Sequence, residues 1–311
     1  MATMKAIRIH GFGGVEQLEL ETIERPVPGR GELLVRVQAA SVNPVDFKTR
    51  EGKFPPIPAE KLPITPGRDI YGEVEALGEG VDSFAVGDHV YAMLGLFHGG
   101  YAEYALVAES EAAHPPRKLG PTEAAAVPLA ALTAWQGLFN HGHLKAGQKV
   151  LIHGGSGGVG HFAIQFARAV GAHVSATASE ADLAFVRELG AERAIDYQKE
   201  RFESAGPFDL ILDLIGGETQ ERSWSALKRG GALISTLTEP SKERAAELQV
   251  RTARYMTQPD GRQLTEIGRL IDDGKVEVAV DTIFDLDQAR RAQEYQATGH
   301  PRGKIVLQVA D

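Results

Sequence analysis

The residues with the most chemical content in this chain are glycines. Gly154, Gly155, Gly157, Gly158 and Gly160 crowd together, with Ser156 and Val159 between them. An apolar run, Lys149 to Ile152, precedes them, and His161 to Val170 follows with apolar residues at helical spacing. Gly155, Gly157 and Gly160 satisfy the spacing G-x-G-x-x-G. A strand, a glycine turn and a helix in this order bring free backbone N–H groups and the positive end of a helix dipole to one point. A pyrophosphate suits such a point, because glycine lets the backbone approach it closely. Gly155, Ser156, Gly157, Gly158, Val159 and Gly160 are therefore the expected cofactor-binding residues. No Gly-Lys-Ser/Thr follows, which argues against a loop for nucleoside triphosphates.

The next strand bears on which dinucleotide fits. NAD sites usually end it in Asp or Glu, which takes the ribose 2'-hydroxyl. Here His173-Val-Ser-Ala-Thr177 runs into Ala178-Ser179 without an acid. Ser179 is placed to take a 2'-phosphate, so NADP (as NADPH) is expected. NAD remains possible, since Glu180 follows at once and Ala181-Asp182-Leu183 offers no lysine. Glu180 equally suits the first turn of a helix, and Arg187 lies too far along it to reach a phosphate.

Other chemistries are excluded by composition. The 311 residues include no cysteine, so thiolate nucleophiles, disulfides and cysteine metal sites are absent. His89, His98, His141 and His143 are the remaining candidates for a metal, and exposed imidazoles are the plainer reading of them. No zinc is expected. A net charge of −9, from 42 acidic and 33 basic residues, argues against nucleic acid and anionic membranes as partners. Hydrophobic residues make up 43% and charged residues 24%, which is ordinary for a globular protein with a sizeable core. Neither a signal-like apolar stretch at the N-terminus nor an 18-residue apolar window is present, so a cytoplasmic location is expected.

The elements that must position the glycine turn follow from pattern. Lys5–His10, Glu32–Ala40, Gly72–Leu77, His89–Met93 and Tyr101–Val107 read as short strands separated by Gly/Pro turns, a β-rich module. Phe54–Pro66, rich in proline, reads as an exposed loop. Pro121–His141 reads as helical. Thereafter strands (149–152, 173–177, 193–196, 209–214, 232–236) alternate with helices (180–189, 219–227), with Gly171, Gly190 and Gly230 as helix-ending signals. Alternation with short links is a doubly wound parallel sheet. Beyond Met256 a helix at 264–271, a strand at 276–280, a helix at 286–295 and a strand at 304–309 are expected.

Several motifs in this order resemble one family. They are Ala40-Ser-Val-Asn-Pro-Val-Asp46, Pro66-Gly-Arg-Asp69, Val86-Gly-Asp-His-Val90, Gly99-Gly-Tyr-Ala-Glu-Tyr104, Leu132-Thr-Ala-Trp135, the glycine turn, Leu212-Asp-Leu-Ile-Gly-Gly217 and Gly303-Lys-Ile-Val-Leu307. The whole chain resembles the zinc-independent quinone oxidoreductase branch of the medium-chain dehydrogenase/reductase superfamily. The resemblance implies an α/β fold: a GroES-like β-rich catalytic domain (residues 1–120), a Rossmann cofactor-binding domain (121–257) and a C-terminal segment (258–311) returning to the first. It implies an active site in the cleft between the domains and a homodimer. Where zinc-dependent relatives carry Cys and His ligands, this chain carries Asn43 and Arg68.

The resemblance also assigns roles. Asn43 matches an active-site asparagine that contacts ribose or the substrate oxygen; the alternative is a turn residue before Pro44. Lys48 is placed to stabilise an enolate oxygen, or is a solvent-facing lysine. Arg68 and Asp69 form an ion pair lining the cleft, or a structural one. Thr133 approaches the nicotinamide, or is a helix-interior threonine. Asp46 is a positioning residue at a helix start. Tyr71 and Phe54 offer aromatic stacking, unless Tyr71 packs in the core. Tyr197 and Ile215 flank the cofactor. The implied activity is NADPH-dependent, metal-free hydride transfer to a quinone or conjugated enone. Two alternatives are an alkenal/enone reductase without quinone activity and a cofactor-binding regulatory protein with little turnover.

Overall fold

The computed structural model describes residues 2–54 and 57–310. Pro55 and Pro56 of the expected loop lie outside them. Two units emerge. The first holds the chain up to Leu129, Pro259–Asp273 and the stretch from Val278; the second holds Ala130–Gln258 and Gly274–Glu277.

The first unit begins with the hairpin β1 (Thr3–Ile9) and β2 (Leu18–Glu24), paired antiparallel from Thr3↔Glu24 to Ile9↔Leu18. Then come β3 (Glu32–Val42), α1 (Pro44–Arg50), β4 (Asp69–Leu77), β5 (His89–Met93), β6 (Tyr104–Ala108), β7 (Ala112–Ala113) and α2 (Pro121–Ala125). Strand β3 runs two residues past its expected end, because Ser41 and Val42 still pair with β4 and the C-terminal strand. At α1 the sequence dictates the start: Asn43 is the N-cap, Pro44 follows it, and Asp46 completes a capping box. The expected helix 121–141 is broken at Pro128 into α2 and α3 (Pro128–Trp135), followed by a π-helical turn, Gln136–His141.

In the second unit, strands and helices alternate as the pattern demands. They are β8 (Lys149–Ile152), α4 (Gly160–Ala169), β9 (His173–Ala178), α5 (Leu183–Glu188), β10 (Arg193–Asp196), β11 (Phe208–Asp213), α6 (Gly217–Ser223), β12 (Leu227–Ser235), α7 (Lys242–Leu248) and β13 (Arg251–Arg254). All six strands are parallel, in the order β10-β9-β8-β11-β12-β13. That is the Rossmann order, which reverses between β8 and β11. Leu151, Ile211 and Leu233 from adjacent strands bury one face against Phe202, Phe208 and Trp224. Burial contributes roughly 1.5–3 kcal/mol for each large apolar side chain.

The chain then returns to the first unit with α8 (Gly261–Asp272), β14 (Val280–Asp285), α9 (Ala289–Thr298) and β15 (Lys304–Gln308). Strand β15 pairs with β3, giving a seven-stranded sheet in the order β14-β15-β3-β4-β5-β7, with β6 also on β3. The fold is thus α/β, a β-rich unit plus a doubly wound parallel sheet. Among the described residues no helix is long and apolar enough to cross a membrane.

Two local expectations are corrected. Of the expected strand Val276–Val280 only Val280 is extended into a strand, as the first residue of β14. The backbone N–H and C=O of Glu277 are taken by the Gln165 side chain at 2.7 and 2.9 Å, so a side chain does the work of a strand partner. Gly230 ends no helix: it sits inside β12 with φ +78°, close to the register shift between β11 and β12.

Candidate active site

In the second unit β8 delivers the chain to the glycine turn. Gly154 N–H donates to Thr177 Oγ1 (3.1 Å) and Gly155 N–H to Thr177 O (2.8 Å), which clamps the turn to β9. Gly155 therefore spends its N–H on the protein. A Cβ on Gly160 would lie 2.1 Å from Gly154 O, so no side chain fits there. On Gly157 a Cβ would meet only Gly154 O, at 3.6 Å. Packing within the chain thus explains glycine at 160 but not at 157.

Behind the turn His153 is fully buried. Its ring lies 3.3 Å from Thr177 Oγ1 and 3.0 Å from Ser223 Oγ. Burial pushes its pKa down from 6.5 to about 4. The unfolded chain then takes up the proton first, so the stability His153 contributes is complete above pH 6.5 and is lost as pH falls toward 4. We expect Tm to drop across this window, and His153→Gln to flatten the drop. A pH–Tm curve with the same slope in the variant would contradict the assignment.

At the end of β9, Ser179 Oγ donates to Asp182 Oδ2 at 2.9 Å, across the turn that follows. Glu180 pairs with Lys199 at 2.7 Å. Lys199 thus brings a cation from beyond β10 to this strand end, where Ala181-Asp182-Leu183 offers none; it stands two residues after Tyr197, which is 50% exposed. Thr133 is buried. Its hydroxyl pairs with Thr257 Oγ1 (2.7 Å), and its carbonyl accepts from Tyr255 (2.6 Å). Ile215 is 53% exposed and touches the turn, its Cδ1 lying 3.1 Å from where a Gly154 Cβ would be.

In the first unit the capping box of α1 opens onto a pocket lined by Asp46, Thr49, Ile57, Arg68, Leu96 and His98 among others. Asp46 Oδ2 accepts from Asn43 N–H (2.8 Å) and Tyr101 OH (2.9 Å). Burial raises its carboxyl to about 7. Arg68 donates Nε to Leu94 O at 2.6 Å, which fixes its guanidinium. Burial lowers the guanidinium's pKa, against the pull of Asp46, Asp69 and Glu111. The expected Arg68–Asp69 pair is therefore corrected. Asp69 turns inward to Lys304 (3.6 Å), because Ser41, Asn43 and the N–H of Leu129 already hold its carboxylate there.

The structure thus brings Asp46 and Arg68 together on one wall. Asn43 and Lys48 do not line that pocket. Asn43 is buried behind it, and Lys48 is half-buried on α1, where desolvation lowers its ammonium. Tyr71 packs on His89, with ring centroids 5.5 Å apart.

Family models agree with this architecture. The alcohol dehydrogenase GroES-like domain matches residues 29–117, and a zinc-binding dehydrogenase domain matches 189–307. The chain is 32% identical to a chloroplast envelope quinone oxidoreductase homolog of Arabidopsis thaliana, over 98% of both chains. It belongs to the zinc-independent quinone oxidoreductase branch of the medium-chain dehydrogenase/reductase superfamily. A quinone oxidoreductase from Coxiella burnetii has the same fold, with TM-score 0.92, 38% identity, and 99% and 100% of the two chains covered. An NADPH-dependent alkenal/one oxidoreductase of Arabidopsis thaliana is 35% identical, over 98% of this chain and 79% of that one.

Zinc, which one of these domain descriptions implies, does not fit this member of the branch. Asn43 Oδ1 accepts from the Lys304 ammonium, and Arg68 brings a cation. A dication meets charge repulsion there and no thiolate. Among the described residues only His10, Glu19 and Glu21 could share an ion, and they lie on or beside the outer β1–β2 hairpin.

The cytoplasmic expectation is overturned. Relatives of the branch carry chloroplastic or mitochondrial in their names. Absence of cysteine does not distinguish one reducing compartment from another.

Proposed function

We propose that this oxidoreductase reduces quinones or conjugated enones with NADPH. The observation that carries the reading is the Arg68 guanidinium, fixed by Leu94 O beside the near-neutral acid Asp46, where a metal would otherwise polarise substrate. When bound, a reduced nicotinamide supplies the hydride. The glycine turn holds the pyrophosphate. Arg68 donates to the oxygen on which negative charge develops, and Asp46 keeps a proton at the pocket wall near pH 7. An electron-poor acceptor requires no more polarisation than that.

Lys199 supports NADPH over NADH, as does the relative named NADPH-dependent. Glu180 and Asp182, acidic at the same strand end, make NADH a usable second donor. A second reading, reduction of alkenals and enones without quinone activity, is favoured by the 35% identity to the alkenal/one oxidoreductase.

One assay tests these readings together: oxidation of NADPH and of NADH with a quinone, an enone and a saturated ketone as acceptors. Turnover of quinone and enone with NADPH preferred is expected. Enone turnover alone selects the second reading. Turnover of the saturated ketone alone defeats both, and tight NADPH binding without turnover of any acceptor indicates a regulatory protein.

A further inference from the structure

Lys304 is the only buried lysine among the described residues, at 3% exposure. Taking an ammonium out of water is strongly unfavourable unless partners replace the solvent. Its place follows from register. Strand β15 pairs antiparallel with β3, with Ile305 opposite Val42, so Lys304 falls opposite Asn43 from 261 residues away in the chain. There the ammonium donates to Asn43 Oδ1 and to Val42 O (3.3 Å) and lies 3.6 Å from Asp69 Oδ2.

The Asn43 amide is consequently held between a cation and an anion. Its Nδ2 donates to Asp69 Oδ2 at 2.8 Å while its Oδ1 accepts from Lys304. A flipped amide would set NH2 against the ammonium and oxygen against the carboxylate, so one orientation alone is allowed. Asn43 is also the N-cap of α1, and its N–H donates to the Asp46 carboxylate that lines the pocket.

We propose that Lys304 is a positioning residue: by fixing the Asn43 amide against Asp69 it sets the Asn43–Asp46 cap, and so places Asp46 on the wall that Arg68 shares. Activity as a readout rests on the reductase reading; the amide geometry does not.

The competing account is that Lys304 merely neutralises Asp69. Lys304→Met alone leaves Asp69 buried without its cation and lowers Tm under both accounts. The double variant Asp69→Asn/Lys304→Met removes both charges and separates them. Positioning predicts that Tm recovers while kcat stays down by about 100-fold, with KM and the NADPH Kd near wild type. The wild type has only two asparagines, Asn43 and Asn140, so 15N-asparagine labelling gives two side-chain NH2 signals; the double variant adds a third at position 69, which the Asp69→Asn single variant identifies. The Asn43 signal should be shifted and single in the wild type, and split or moved toward its solvent position in the double variant. Recovery of kcat together with Tm, or an unchanged Asn43 signal, would overturn the proposal. If the wild type reduces no acceptor, the reductase reading fails and the NMR signal still decides on Lys304.

Discussion

Gly157→Ala is expected to fold like the wild type and to lose NADPH. Its Cβ would meet only Gly154 O, at ordinary contact distance, so the turn keeps its shape. Any pyrophosphate held by that turn, however, would meet a methyl group where the backbone should approach. We expect Tm to stay within about 2 °C, since substitutions that clash with nothing stay within roughly 0.5 kcal/mol. The Kd for NADPH, read by quenching or calorimetry, should rise by about ten- to a hundredfold, equivalent to roughly 1.4–2.8 kcal/mol. Gly160→Ala is the contrasting control. Its Cβ would be driven to 2.1 Å from Gly154 O, so α4 must move or the turn must open. Overpacking of that kind costs about 3 kcal/mol or more. Loss of Tm should therefore accompany loss of binding at 160 but not at 157. Unchanged NADPH affinity in Gly157→Ala would remove the turn from the cofactor site.

How much of this was legible depended on what held each element in place. Strand β8 was readable to the residue, because a buried parallel strand with helices on both faces leaves a nearly continuous apolar run. Strand β2 (LELETIE) was missed because it pairs only with β1 and alternates with glutamates. Strand β13 (RTAR) was missed because it lies at a sheet edge with little apolar content. Val276–Val280 misled in the opposite direction: a strand-like sequence whose Glu277 backbone groups are satisfied by Gln165.

The site divides the same way. The glycine turn is local in sequence and was visible. Lys199 was invisible as a partner of Glu180, since only the adjacency of β9 and β10 brings them together. Lys304 stood inside a motif that marked the family, yet its task is set by the β3–β15 register, a contact no local pattern encodes. Ser179 was legible as a polar group at a strand end. That its hydroxyl donates to Asp182 was not, because the partner is chosen by the geometry of the turn.

Arg68 carries the second large effect. Its Nε is committed to Leu94 O, so the orientation of its guanidinium is set before any substrate arrives. A donor fixed in advance pays no reorganisation when charge develops on a substrate oxygen, and removing one such donor costs about 10²–10³ in kcat. Arg68→Gln should therefore lower kcat by about a hundredfold while leaving the Kd for NADPH unchanged. Arg68→Lys should recover only part of the loss, since an ammonium keeps the charge but not the planar fork that binds Leu94 O. The size of the effect should also depend on the acceptor. An enone concentrates charge on one enolate oxygen and depends on Arg68 heavily. A quinone spreads charge over an aromatising ring and depends on it less, so the same variant should lose more rate with the enone. Equal kcat in wild type and Arg68→Gln with both acceptors would leave the guanidinium as a structural cation that balances Asp46 and Glu111.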